Sequence, residues 1–145
     1  MSVVPISLAE VEYTLYEYAK EVLKFDEPLP EFNTRSPGLL ESCISQPFQS
    51  YDGKDLYESF YDKATILFYL MIKNHPFQNG NKRMALMTLM VFLYKNGYWI
   101  KTSPMKIYEF ACMVSESKPA DKASIILLIN NFIKKYSVKR RIVMG

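Results

Sequence analysis

The chain has 145 residues, 49% of them hydrophobic and 23% charged, with a formal net charge of +3. That is one domain's length with enough apolar residues for a core, and five glycines are too few for a flexible linker or a disordered tract. The mild charge neither requires nor excludes nucleic acid, and Cys43 and Cys112 stand far apart among apolar neighbours, the pattern of small buried thiols in a reducing cytosol rather than of metal ligands.

The opening "MSVVPIS" lacks the cationic start and apolar run of a secretory signal, so the expectation is a cytoplasmic protein. "IILLIN" is too short to span a bilayer. Ser7 with Glu10 reads as a capping box, and Ile6 with Val11 as the staple beside it. Leu8, Val11, Leu15, Tyr18 and Val22 then recur at helical spacing, and Pro28 and Pro30 close the element. "TRSPGLLESCIS" is expected to be a short helix capped by Ser36 with Pro37 in its first turn. The turn-rich "QPFQSYDGK" follows, and Asp52-Gly53 suits the tip of a small hairpin. Asp55 and Glu58 read as a second capping box, ahead of a helix with Leu56, Phe60, Ala64, Leu67 and Met71 on one face.

Pro76 disfavours helix at His75, which ends that element. A new helix then runs from about Asn81 toward Gly97, a natural C-terminal cap. Its "MALMTLMVFLY" is apolar on every side, so it is expected at the centre of the fold. Ser103-Pro104 starts another helix, "DKASIILLINNFIKKY" forms a final amphipathic one, and the basic end over 138–145 is expected to fray. The whole reads as one mainly α domain over 1–145 with at most one hairpin.

The break "NHPFQNGNKRMA" holds the chemistry. Gly80 lets the chain turn sharply and expose consecutive N–H groups at a helix start, where the dipole supplies roughly half a positive charge. Lys82 adds a point charge and Arg83 a fork suited to phosphate oxygens. His75, the only histidine, can take a proton near neutral pH. Phe77 is apolar and suits a plug into the core. A histidine beside proline, a Gly-Asn cap or a Lys-Arg first turn is ordinary by itself. Within nine positions they form a base next to a phosphate cradle, the equipment for group transfer from a nucleotide.

His75, Phe77, Gly80, Asn81, Lys82 and Arg83 resemble the Fic/Doc family motif, His-x-Phe-x-Asp/Glu-Gly-Asn-Gly/Lys-Arg. The resemblance extends through "GLLESCISQPFQSYDGKDLYESFYDKATILFYLMIKNHPF" and "ALMTLMVFLYKNGYWI", toward the death-on-curing (Doc) branch. It implies a compact helical bundle around a buried central helix, with a β-hairpin flap. It also implies that His75 deprotonates a target hydroxyl and that Gly80, Asn81, Lys82 and Arg83 hold phosphate. The flap, Gln46, Pro47, Phe48, Gln49, Ser50, Tyr51, Asp52 and Gly53, would align the target segment. The co-substrate would be ATP or another nucleoside triphosphate with Mg²⁺. Most Fic enzymes transfer AMP to a protein hydroxyl. Doc has lysine for the second motif glycine and transfers the γ-phosphate to a threonine of EF-Tu, so by this resemblance Lys82 leans the chain toward phosphoryl transfer, with AMP transfer to a protein hydroxyl as the alternative.

One position departs from the family pattern. The motif acid that helps hold Mg²⁺ is Asn79 here, whose amide oxygen can still coordinate but brings no charge. That leaves a catalytically impaired binding protein as the alternative to a transferase. Many Fic proteins carry an inhibitory helix ending in Glu-Gly or Glu-Asn, and no glutamate here is followed by Gly or Asn. The brake is therefore expected in trans, from an antitoxin chain. A nucleic-acid reading would rest on Lys134, Lys135, Lys139, Arg140 and Arg141, but a pI near 8.7 without a recognised motif argues against it.

Overall fold

The computed structural model describes residues 2–23 and 28–140. A π-helical stretch, Glu10–Tyr16, runs into α1 (Glu17–Val22). Its capping box is complete: Glu10 accepts from the Ser7 N–H at 3.0 Å and Ser7 Oγ accepts from the Glu10 N–H at 3.2 Å. Ile6 and Val11 are both buried beside it. The side chains of Leu15, Tyr18 and Val22 lie outside the described residues.

A short 3₁₀ turn, Phe32–Thr34, precedes α2 (Leu39–Ser45). Ser36 does not cap α2. Gly38 does, in the left-handed region at φ 81°, with its N–H donating to the Glu41 carboxylate at 2.9 Å. Ser36 instead donates its N–H to the Pro76 carbonyl at 2.9 Å, which ties this segment to the loop after α3.

A 3₁₀ turn, Gln46–Phe48, leads into a hairpin of β1 (Ser50–Tyr51) and β2 (Lys54–Asp55), with Ser50 opposite Asp55 and Tyr51 opposite Lys54. Asp52 and Gly53 both have positive φ, 53° and 77°, the requirement of a type I′ turn. Asp55 is consumed by this hairpin and caps nothing. Its carboxylate accepts from the buried Lys63 ammonium at 3.1 Å, and Lys63 also donates to the Tyr57 carbonyl. The next helix, α3 (Phe60–Lys73), is capped by Ser59, whose side chain accepts from the Asp62 N–H at 3.0 Å.

The fold is a helical bundle with α3 and α4 (Asn81–Lys95) at its centre. The expected central helix, α4, is buried along most of its length, but α3 is buried without interruption from Lys63 to Ile72. Helix α5 (Pro104–Glu116) starts at Ser103-Pro104 as read, and α6 (Lys122–Tyr136) closes the bundle. The rings of Phe110 and Phe132 stack at 4.2 Å between α5 and α6, and Phe60 lies between Phe92 and Tyr98 at 5.3 and 5.0 Å.

A second two-stranded sheet stands beyond the single hairpin expected. Strand β3 (Tyr98–Ile100) pairs antiparallel with β4 (Ser137–Lys139), so the frayed tail expected over 138–145 is ordered at its start. Val138 and Lys139 face Trp99 and Tyr98, Tyr61 bonds the Ser137 hydroxyl at 2.9 Å, and residues 141–145, Arg141 among them, lie outside the described residues.

Phe77 joins the loop after α3 to the core. It is 3% exposed and packs on Tyr16 and Phe32 at ring distances of 5.7 and 6.0 Å. Phe77→Ala should remove about 3–5 kcal/mol of stability through lost burial and the cavity left behind. Urea unfolding measures this, and an unchanged midpoint would show that the plug is not a support.

Candidate active site

Loop 74–80 connects the two central helices, and its geometry follows from a few fixed points. Asn74 closes α3 with its N–H on the Leu70 carbonyl at 2.9 Å. His75 follows with φ 49°, left-handed for a residue that carries a Cβ, and its side chain is exposed. Phe77 then plugs into the core, and Gly80 turns the chain into α4 at φ 75°. A side chain at Gly80 would be strained by that angle and would meet Leu29 Cδ2 at 2.0 Å unless Leu29 moved, so glycine is favoured here.

Asn81 is the first residue of α4 and is buried. Its Oδ1 accepts from the Phe77 N–H at 2.9 Å and its Nδ2 donates to the Phe77 carbonyl at 3.0 Å. The same Nδ2 stands 3.5 Å from His75 Nδ1. The Asn81 amide thus closes the loop on the Phe77 peptide and stands beside the imidazole.

His75, Asn79, Gly80, Asn81, Lys82 and Arg83 line one cavity of about 190 Å³. Ile72, Gln78, Tyr108 and Ser115 complete it. The first turn of α4 carries no acidic residue, and its N–H groups have no acceptor within the helix. The dipole and two cations therefore make this end attractive to an anion. Lys82 is half-buried. Arg83 is 3% exposed, donates from Nη1 to the Leu23 carbonyl at 3.3 Å, and places Nη2 beside Gly80. Its fork is thus partly occupied by the protein, and its charge is fixed beneath the cavity rather than swinging freely.

Tyr108 and Ser115 were not singled out in the sequence. They lie two turns apart on α5, so they share a face, but nothing local marks that face as a cavity wall. Lys73 holds this wall in place by donating to the carbonyls of Ser115 and Ser117 at 3.3 and 2.7 Å, groups left open at the end of α5. None of the flap residues 46–53 lines the cavity. Pro47 is buried, Phe48 packs on Phe92 at 6.2 Å, and Tyr51 at the hairpin is 78% exposed.

For a divalent cation the available oxygen is Asn79 Oδ1, which is buried, lines the cavity and has no hydrogen-bond partner. Among the described residues no group of three histidine, cysteine or acidic side chains could hold a metal by itself. The donor set fits a magnesium ion that shares its shell with phosphates and water, and does not fit a resident metal cage. Among the described residues, no helix is long and apolar enough to cross a membrane.

Residues 8–93, from the first capping box through the cavity loop and most of α4, match the model of the Fic/DOC family. A curated relative, "Toxin Doc" of Mycolicibacterium smegmatis, is 36% identical over 67 residues, covering 46% of this chain and 52% of that protein. The chain thus spans about half the length of the curated relative it matches. No solved structure gave a significant match. The loop that carries His75 and opens α4 at Gly80 is contained in the matched segment, and the chain belongs to the Fic/DOC family, whose members are typically nucleotide-dependent transferases.

Proposed function

We propose that the chain is a Doc-like, toxin-type transferase that moves a phosphoryl group from ATP or another nucleoside triphosphate to a Ser/Thr hydroxyl of a target protein. The observation that carries this reading is the shared cavity: His75 lines the same cavity as Gly80, Lys82, Arg83 and the start of α4. His75 takes the hydroxyl proton while the oxygen bonds to the γ-phosphorus. The bond from that phosphorus to its bridging oxygen breaks, and the nucleoside diphosphate leaves. The backbone at Gly80 and Asn81, with Lys82 and Arg83, offsets phosphate charge in fixed positions, which is the main thing a protein supplies to phosphoryl transfer. Asn79 Oδ1 would hold Mg²⁺ together with the phosphates, and the ion would neutralise part of their charge. Lys82 in the place of the second motif glycine favours γ-phosphoryl over AMP transfer. The target would be a translation protein of the EF-Tu kind, aligned by flap 46–53, and an antitoxin chain would act in trans in the cytoplasm.

Incubation of this protein and purified EF-Tu with α- or γ-labelled ATP tests the reading. Label should pass to protein from the γ position only. Transfer from the α position would make the chain an AMP-transferase, and tight nucleotide binding without transfer would make it an impaired binder. His75→Ala should lower transfer by roughly a hundredfold or more while leaving the melting temperature and nucleotide affinity nearly unchanged. An equal loss of stability would assign His75 to structure.

Asn79→Asp addresses the departure from the motif. A carboxylate would hold magnesium more tightly, and the metal would offset its charge. The Mg²⁺ concentration for half-maximal rate should fall, with the gain largest when magnesium is scarce. If the natural protein is inert and Asn79→Asp restores strong transfer, the impaired-binder reading stands instead.

A further inference from the structure

Composition argues against a nucleic-acid partner, but folding changes which cations lie together. The ladder between β3 and β4 continues beyond the strands: the Lys101 N–H donates to the Tyr136 carbonyl at 2.7 Å and the Arg140 N–H to the Gly97 carbonyl at 2.8 Å. In this register Trp99 faces Val138, with Lys101 and Arg140 two residues along their strands on the same side. The other side is the packed one, because Ile100 is 1% exposed and Tyr98 stacks on Phe60. Trp99 and Val138 are therefore on the outer face, 43% and 42% exposed.

The face has two ends. At one, the Arg140 guanidinium lies 4.0 Å over the ring of Tyr94, and Trp99 meets that ring edge-on at 6.2 Å. At the other, Lys106 from α5 and Lys135 from α6 place their ammonium groups 4.7 and 5.3 Å from the same ring, that of Tyr136. Among the described residues, none of Lys101, Lys106, Lys135 and Arg140 forms an ion pair with a carboxylate, not even Lys106 with Glu109 one turn along α5. The two ammonium groups thus lie near one ring with no carboxylate to offset their charge, and the half-exposed Trp99 indole stands two strand positions from Lys101.

We propose that the outer face of β3 and β4 binds single-stranded nucleic acid, with a base stacked on Trp99 and successive phosphates at Lys101 and at Lys106 with Lys135. Stacking platforms interleaved with cations are what such ligands use, and they need no base-specific groups. An acidic peptide would satisfy the cations but would leave Trp99 without a role. The proposal is independent of the transferase reading, since this face shares no residue with the cavity of His75.

Trp99 is the only tryptophan, so its emission reports the face directly. Titration with a single-stranded oligothymidylate should quench it saturably. With two phosphates engaged, the logarithmic salt slope should be about −1.4, so raising salt from about 50 to about 200 mM should weaken binding about sevenfold. The triple variant Lys101→Ala, Lys106→Ala, Lys135→Ala changes only exposed side chains. It should keep its melting temperature, lose at least about tenfold in affinity and lose most of the salt slope. Absence of saturable quenching at about 50 mM salt would overturn the proposal, as would unchanged binding by the triple variant. If an oligoglutamate of equal charge binds as tightly, with the same quenching, the face takes acidic peptides and the proposal also fails.

Discussion

The amide of Asn81, clamped on the Phe77 peptide, is the contact on which the candidate site depends. It belongs to α4 by its backbone and to the preceding loop by its side chain. Each hydrogen bond contributes only about 0.5–1.5 kcal/mol net, but a buried peptide group left without one costs about 1–3 kcal/mol. The clamp is therefore hard to open once Phe77 is seated. It has a counterpart at the far end of the helix, where Asn96 Oδ1 accepts from the Val4 N–H at 2.7 Å and Nδ2 donates to the Val4 carbonyl at 2.9 Å. An amide with one donor and one acceptor edge matches a peptide group in this way, and a carboxylate or an ammonium cannot. Both ends of α4 are thereby fixed to chain segments outside it, and the anion-seeking end is held still.

Local chemistry was legible in the sequence where one element could satisfy itself. Ser7 with Glu10, Ser103 with Pro104, and the Asp52-Gly53 turn all need only neighbours a few residues away, and all formed as read. Asp55 was misread because a capping box and an ion pair ask for the same carboxylate. Lys63, buried on α3, needed it more, and Ser59 was free to cap. Ser36 gave way to Gly38 because its N–H was drawn to the Pro76 carbonyl, forty positions along the chain. The strand β4 was hidden for a similar reason: its basic neighbours look solvated, and its partner β3 lies some forty residues earlier. Strand formation depends on cross-strand context more than on local pattern.

The site divides along the same line. The glycine turn, the cations and the base were legible as residue types, because their chemistry is carried by single side chains. Their commitments were not. Arg83 spends a donor on Leu23, and Tyr108 and Ser115 arrive from a helix whose sequence gives no sign of a cavity. Whether a charged group faces a ligand or a neighbouring carbonyl is decided by packing, and packing is a property of the assembled helices.

That packing explains how His75 keeps an unfavourable backbone. Left-handed φ costs a residue with a Cβ about 1–2 kcal/mol, and such strain persists where the surroundings over-determine it. Two residues before His75, Lys73 is tied to the open carbonyls at the end of α5. Two residues after it, Phe77 is held by Tyr16, Phe32 and the Asn81 clamp. The chain between these anchors has few residues in which to turn, and Pro76 fixes its own φ. The turn therefore falls on His75. Lys73 also holds the segment of α5 that carries Ser115, so two parts of the cavity lining share one anchor. If His75 is the general base proposed above, it would gain from such a frame, because proton transfer is sensitive to small errors in distance. The left-handed turn at His75 is thus held in place by contacts on both sides of it, from α5 through Lys73 and from the core through Phe77.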